Sequence, residues 1–226
     1  MSRLEKIKEI FRLPAVTVQL GNGEEDLKLY TAFTKRHPRL FLIRNKTVGV
    51  GLISCAQFQD PADYIDSVNG KNSAAYFSRK ASRAGFRFAV VDANKYTDAI
   101  HEIHHSAGER QGIPLDKNYL DKKEVYPSGP RHAFFGIFKD DKLVAYLWII
   151  NSGQLFIMNR IMGHAQYLKE GIMYLLVTSF VEQLLTEPGD RQRYIMYDTM
   201  LGASSGLRMF KERCGFRPYR VKWITA

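Results

Sequence analysis

A chain of 226 residues, 45% hydrophobic and 25% charged, can bury a substantial core, either as one large domain or as a domain with a long extension. No apolar stretch reaches the roughly 18–20 residues of a membrane span, the charged start MSRLEKIKEIFRLP does not read as a secretory signal, and Cys55 and Cys214 make no disulfide framework, so a cytoplasmic setting is expected. The 33 Lys and Arg against 23 Asp and Glu give a formal net charge of +10, which favours phosphate-rich ligands, from nucleotide cofactors to RNA.

In chain order, Leu4, Ile7, Ile10 and Phe11 recur at helical spacing and predict a short amphipathic helix ending before Pro14. Residues 15–20 read as a strand, followed by a Gly21-Asn22-Gly23 turn. Residues 40–44 and 47–54, joined by Asn45-Lys46, predict a β-hairpin. Pro61 begins a helical stretch, and KNSAAYFSRKASRAG (71–85) reads as a basic helix stopped by Gly85. From Phe86 the pattern becomes strand (86–91), helix (95–107), then a hairpin of 133–138 with 143–150 across Lys139-Asp140-Asp141-Lys142. Another strand (154–162) precedes a helix over 171–185 that is apolar around most of its circumference and hence buried. The strand 194–200 shows little alternation, as a central strand covered on both faces should. A helix (204–213) closed by Gly215 and a strand (219–224) complete a mixed sheet flanked by helices, in the α/β or α+β class.

HEIHHSAGERQ (101–111) satisfies H-E-x-x-H, which would supply two imidazoles one helical turn apart, His101 and His105, with Glu102 as general base. The next ligand of the longer zinc pattern would fall at 111, which is Gln111, and Glu124 lies in a segment without helical period. The helix also has a plainer reading. Tyr96, Ile100, Ile103 and Ala107 form its apolar stripe, which leaves His101, His104 and His105 on or beside the solvent edge. No metal site is expected.

The C-terminal half carries a fuller constellation: QLFIMNRIMGHAQYLKEGIMYLLVTSFVEQLL, then YIMYDTMLGASSGLRMFKERCGF. A strand containing Arg160 leads through His164, Gln166, Tyr167, Lys169 and Glu170 to Gly171 and Ile172 at the start of the buried helix. Free N–H groups at that start suit a phosphate or an oxyanion, although Gly171 equally relieves a tight turn. Asp198 stands in an otherwise apolar strand near its carboxyl end, where such sheets place ligands. It is a candidate to orient or deprotonate an amine, or simply to cap the following loop or pair with an arginine. Arg208 and Lys211 fall on one helical face and can present a joint phosphate-binding edge. Lys71, Arg79, Lys80 and Arg83 form a second basic cluster; both clusters also read as solvated basic faces.

This order of elements, and the tail with Phe210, Lys211 and Gly215, resembles the GNAT acyltransferase superfamily and within it the FemAB-like branch. The resemblance implies a mostly antiparallel sheet whose two central parallel strands, about 154–162 and 194–200, splay apart around an activated acyl group. It divides the chain into an N-terminal αβ extension (1–85) and a GNAT-like domain (86–226). Two departures bear on the donor. The acetyl-CoA loop of the family is Arg/Gln-x-x-Gly-x-Gly/Ala, whereas here Gln166 is followed by Lys169 in place of the first glycine. Many acetyltransferases also place a Tyr four residues before the closing Gly-Phe; here that residue is Lys211, and the Fem ligases, which take an amino acid from aminoacyl-tRNA, carry a Lys in this signature. The resemblance therefore implies an N-acyltransferase without a permanently bound cofactor. Aminoacyl-tRNA is favoured slightly over an acyl-CoA thioester as donor, and the acceptor is the amine of a small molecule or peptide. In that reading Asp198 and Lys211 are catalytic, Arg160, Gln166, Lys169, Glu170, Gly171, Ile172 and Arg208 hold the donor, and His164 and Tyr167 line the acceptor site. The non-catalytic alternative is a GNAT-like module that binds RNA or peptides.

Overall fold

The computed structural model describes residues 12–37, 44–110, 113–114, 120–187, 189 and 193–226. The helix expected over Leu4, Ile7, Ile10 and Phe11 lies outside these residues, as do Gln111 and most of the strand expected at 40–44. The strands are β1 (Ala15–Leu20), β2 (Val48–Ser54), β3 (Arg87–Val90), β4 (Glu109–Arg110), β5 (Ile113–Pro114), β6 (His132–Lys139), β7 (Lys142–Ser152), β8 (Leu155–Gly163), β9 (Tyr194–Thr199) and β10 (Arg217–Thr225). The helices are α1 (Glu24–Thr34), α2 (Pro61–Ser67), α3 (Ala74–Arg83), α4 (Thr97–His105), α5 (Ile172–Thr186) and α6 (Ser205–Arg213). The main sheet has the order β1-β10-β2-β9-β8-β7-β6-β3, and β4 pairs with β5 in a ladder of its own. Antiparallel pairing dominates, with β1–β10 and β8–β9 parallel, so the expected mixed, mostly antiparallel fold is what the chain forms.

Contacts divide the chain into two compact units, Met1–Gln57 with Asn151–Ile157 and Gln192–Ala226, and Phe58–Ile150 with Met158–Arg191. In the first, β2 is flanked by β10 and β9, both antiparallel. Its sequence VGVGLIS is almost continuously apolar and buried, as a strand with both edges filled requires. This corrects the expected hairpin: the edges of β2 are taken by strands from the far end of the chain, and Arg44 instead bridges Arg36. Long-range pairing of a strongly apolar strand outweighs a local turn signal. Helix α1 has little signature in the sequence, because EEDLKLYTAFT carries only a weak apolar stripe. Its start is fixed by Asp26, whose carboxylate accepts the Gly23 N–H (3.2 Å) and the Ser152 hydroxyl (2.6 Å). Near its end Phe33 packs on Trp223, with ring centroids 4.8 Å apart.

The parallel register of β8 and β9 runs from Leu155–Tyr194 to Ile157–Met196. Both strands continue beyond the last pair, to Gly163 and Thr199.

In the second unit, β6 and β7 form the expected hairpin, and its turn is Asp140-Asp141 with φ of 48° and 61°. Positive φ at both central residues matches the twist of a two-residue hairpin, and Asp is among the residues that adopt it. Alternation along β6 sends Phe134 and Phe138 into a core with Ile100 and Ile103 of α4, Tyr146 and Trp148. Phe135 faces Phe180 of α5 at 5.0 Å. Helix α5 also lies along α3, where Phe77 stacks on Tyr174 at 5.0 Å and the Thr178 hydroxyl donates to Ser78 Oγ at 2.9 Å. The contact satisfies two buried hydroxyls that would otherwise be costly.

Candidate active site

Polar groups gather at the carboxyl end of β9, within the first unit. Lys211 comes from α6, yet only 1% of its surface is exposed. Its ammonium donates to the Thr199 carbonyl (2.9 Å) and lies over the Tyr197 ring, 4.6 Å from the centroid. Burial pulls its pKa down to about 8, Asp198 opposes that shift, and the like charge of Lys46 adds to it. An apolar residue would pack there without the desolvation cost, which makes Lys211 a candidate for chemistry.

Asp198 adopts left-handed backbone geometry, with φ of 51°. Such φ is uncommon for a residue other than glycine and is best tolerated by Asp and Asn. Its Oδ1 accepts the Thr199 N–H at 2.7 Å and forms an ion pair with Lys46. Among the described residues Oδ2 has no hydrogen bond, and the carboxylate is more than half exposed. The carboxylate is thus anchored by one oxygen and open at the other. Lys46, which reads in the sequence only as a turn residue, is 152 positions away in the chain and gives no local signal. Its carbonyl accepts the Trp223 indole N–H at 2.5 Å, which ties this turn to β10.

Arg208 and Lys211 do not form the expected joint edge. Arg208 is exposed and donates through Nε to Glu212 (2.8 Å), one turn along α6, whereas Lys211 is turned inward.

The second unit carries the turn that precedes α5. Ala165–Glu170 is a 3₁₀ turn in which several backbone donors are engaged within the protein. Ala165 N–H goes to Ser106 Oγ (2.9 Å), Gln166 N–H to His164 Nδ1 (3.3 Å), Tyr167 N–H to the His164 carbonyl (3.0 Å) and Gly171 N–H to the Leu168 carbonyl (3.4 Å). Gly171 has φ of 85°, and a methyl group there would sit 2.7 Å from the Phe77 carbonyl oxygen. Both its left-handed backbone and its close approach to α3 demand glycine, as the tight-turn reading of this residue expects. Ile172 is fully buried, which leaves only its backbone for any ligand. Gln166 and Lys169 are exposed, and Glu170 pairs with Lys80 at 3.2 Å. Arg160, on β8, is half-buried and close enough to Lys123 to lower the pKa of that lysine, after burial has done most of it.

His164 and Tyr167 lie together, with ring centroids 5.6 Å apart. Glu102 joins them: its Oε1 is 2.7 Å from Lys142 Nζ and 3.8 Å from His164 Nε2. The Lys142 hydrogen bond holds the Glu102 carboxyl below its ordinary pKa. Because His164 Nδ1 accepts the Gln166 N–H, the neutral ring carries its proton on Nε2, facing Glu102. Neither Glu102 nor Lys142 is legible as a partner of His164 in the sequence, where Glu102 stands out only as the base position of a zinc-hydrolase pattern. The histidines of α4 also differ from expectation. His104 is buried, not at the solvent edge, and shares a 2.6 Å hydrogen bond with Tyr146. His101 and His105 face each other at 4.1 Å, and among the described residues no group of three or more His, Cys, Asp or Glu is arranged to hold a metal ion.

No protein-family model and no curated protein matches the sequence. Solved structures do. FemX matches with a TM-score of 0.58 at 8% identity, over 87% of this chain and 65% of FemX. The C-terminal domain of a putative lysylphosphatidylglycerol synthetase from Agrobacterium fabrum gives 0.48 at 15% identity, over 75% of this chain and 57% of that one. L-PGS from Bacillus licheniformis gives 0.48 at 16% identity, with the same coverage of 75% and 57%. The chain spans less than two thirds of the length of each. At this level of identity, the FemX match shows a shared fold.

Proposed function

We propose that the protein is an N-acyltransferase that forms an amide by moving an aminoacyl group from aminoacyl-tRNA to the amine of a small molecule or peptide. The observation that carries this reading is the buried Lys211 ammonium, held at the end of β9 beside Asp198. Attack of the amine nitrogen on the ester carbonyl gives a tetrahedral intermediate. Its collapse expels the ribose oxygen, which needs positive charge or a proton as the C–O bond breaks. Lys211 supplies that charge; the open Oδ2 of Asp198 accepts the proton that the attacking amine loses, and the departing ribose oxygen takes up a proton to leave as the hydroxyl. Lys46 is a positioning residue: by binding Oδ1 it fixes which oxygen of Asp198 is presented.

The turn before α5 supports a tRNA donor over a CoA thioester. A pyrophosphate cradle needs backbone N–H groups aimed outward, and those of Ala165, Gln166, Tyr167 and Gly171 are already engaged within the protein. Lys169 places a side chain where the CoA loop has glycine. The fold shared with FemX agrees with this reading at the level of architecture. Incubation with charged tRNA, or with acyl-CoA, and a mixed pool of amines tests it directly. Labelled amide from charged tRNA is expected; amide formed only from the thioester would reverse the donor assignment.

A further inference from the structure

We propose that the exposed face of α3 is an RNA-binding surface, in which Tyr76 offers a stacking platform and Lys71, Arg79 and Arg83 contact phosphates. Tyr76, Arg79, Lys80 and Arg83 follow one another at helical spacing on the exposed side of the helix, while Ala75, Ser78 and Ala81 are buried on the other. From Ser67 to Val91 the chain contains no Asp or Glu. Lys80 and Arg87 find carboxylates elsewhere, at Glu170 and Asp141. Among the described residues, Arg79 bonds the neutral Asn69 side chain (2.9 Å), and no carboxylate pairs with Lys71, Arg79 or Arg83. This charge is left for a polyanion.

A second observation selects the polyanion. Tyr76 is 48% exposed and meets Phe77 edge-on at 5.2 Å, and Phe77 is stacked on Tyr174. The exposed ring is therefore held by a row of aromatics instead of swinging in solvent. A supported aromatic face beside unpaired cations is the combination that binds single-stranded nucleic acid, with bases stacking and phosphates tracking the charge. A membrane surface would instead need a broad apolar face on the same helix, and the remaining apolar residues of α3 are turned inward. The surface deepens the proposed reading, and rests on it for its biological partner, by giving the carrier of the aminoacyl group a place to lie.

The test is fluorescence anisotropy with labelled uncharged tRNA and with a short single-stranded RNA, at several salt concentrations from ~50 to ~200 mM. Uncharged RNA is used so that binding is read without turnover. For Arg79→Glu/Arg83→Glu, affinity is expected to fall at least ~10-fold and the salt slope to flatten by about two, one for each phosphate no longer neutralised. Tyr76→Ala is expected to weaken single-stranded RNA roughly 5- to 100-fold with the salt slope unchanged. Unaltered affinity and slope in the double variant, its melting temperature being preserved, would overturn the proposal. Flotation of the protein with phosphatidylglycerol vesicles in the absence of any RNA binding would overturn it too. Wild-type protein that binds tRNA through this face but transfers nothing would defeat the proposed activity and leave the surface standing.

Discussion

Lys211 combines burial with a charge, and the two make opposite demands. Removing the ammonium from water disfavours its protonated form, which is why its pKa falls to about 8 from 10.5. In the folded state the proton leaves near pH 8, and in the unfolded chain near 10.5. Between those values the unfolded state binds more protons, so stability should rise with pH across that window. Activity should move the other way, with kcat falling as pH rises through about 8. Opposed pH trends in melting temperature and kcat are the expected result; parallel trends would separate Lys211 from catalysis. Lys211→Met keeps the length of the side chain without its charge. Thermal denaturation is expected to show equal or higher stability, and turnover to drop by ~10²-fold or more. Lys211→Arg should retain part of the activity and lose the decline near pH 8, because guanidinium stays charged. Asp198 and Lys211 are legible in the sequence as an acid in an apolar strand and a cation inside a signature. Lys46 is not, since nothing local in an Asn-Lys turn announces a partner at Asp198.

At the scale of elements, legibility depends on whether the deciding contact is local. The β6–β7 hairpin, the glycine-stopped α3 and the apolar α5 are readable because turn chemistry and periodicity act within a few residues. Strand β2 is legible as a strand, but its partners are not, since β9 and β10 arrive from the far end of the sequence. Helix α4 forms where periodicity places it, but its polar stripe departs from expectation: His104 faces the core because Tyr146 offers it a buried hydroxyl. His104→Leu should therefore remove that hydrogen bond and lower stability by about 1 kcal/mol in chemical denaturation. Tyr146→Phe in the same background should recover much of the stability. The start of α5 gives a sharper case. Gly171→Ala forces a side chain into left-handed backbone against the Phe77 carbonyl, and should destabilise the protein by roughly 1–3 kcal/mol even if no ligand ever touches this turn. A melting temperature unchanged by this substitution would contradict the packing role given to Gly171.

For the molecule as a whole, the formal charge of +10 frames the choice of partner. Charge alone is consistent with solubility or with any polyanion. Its meaning comes from distribution: Lys211 is buried at the proposed reacting centre, α3 carries cations without carboxylates, and in the turn before α5 the N–H groups of Ala165, Gln166, Tyr167 and Gly171 are engaged within the protein. Among the described residues, no helix is long and apolar enough to cross a membrane. The fold, shared with FemX, is legible from the order of elements and from the tail motif; the bonding of the N–H groups in the turn before α5 is not, because their partners, such as Ser106 Oγ, come from elsewhere in the chain. The most direct measurement is a time course of label passing from aminoacyl-tRNA to a pool of amines, run at neutral pH with the wild-type protein and with Lys211→Met. Labelled amide from the wild type, reduced ~10²-fold or more in a variant that melts normally and still binds tRNA, is the predicted result. Equal rates for the two proteins would contradict the role of Lys211, and label arriving only from an acyl-CoA thioester would contradict the tRNA donor.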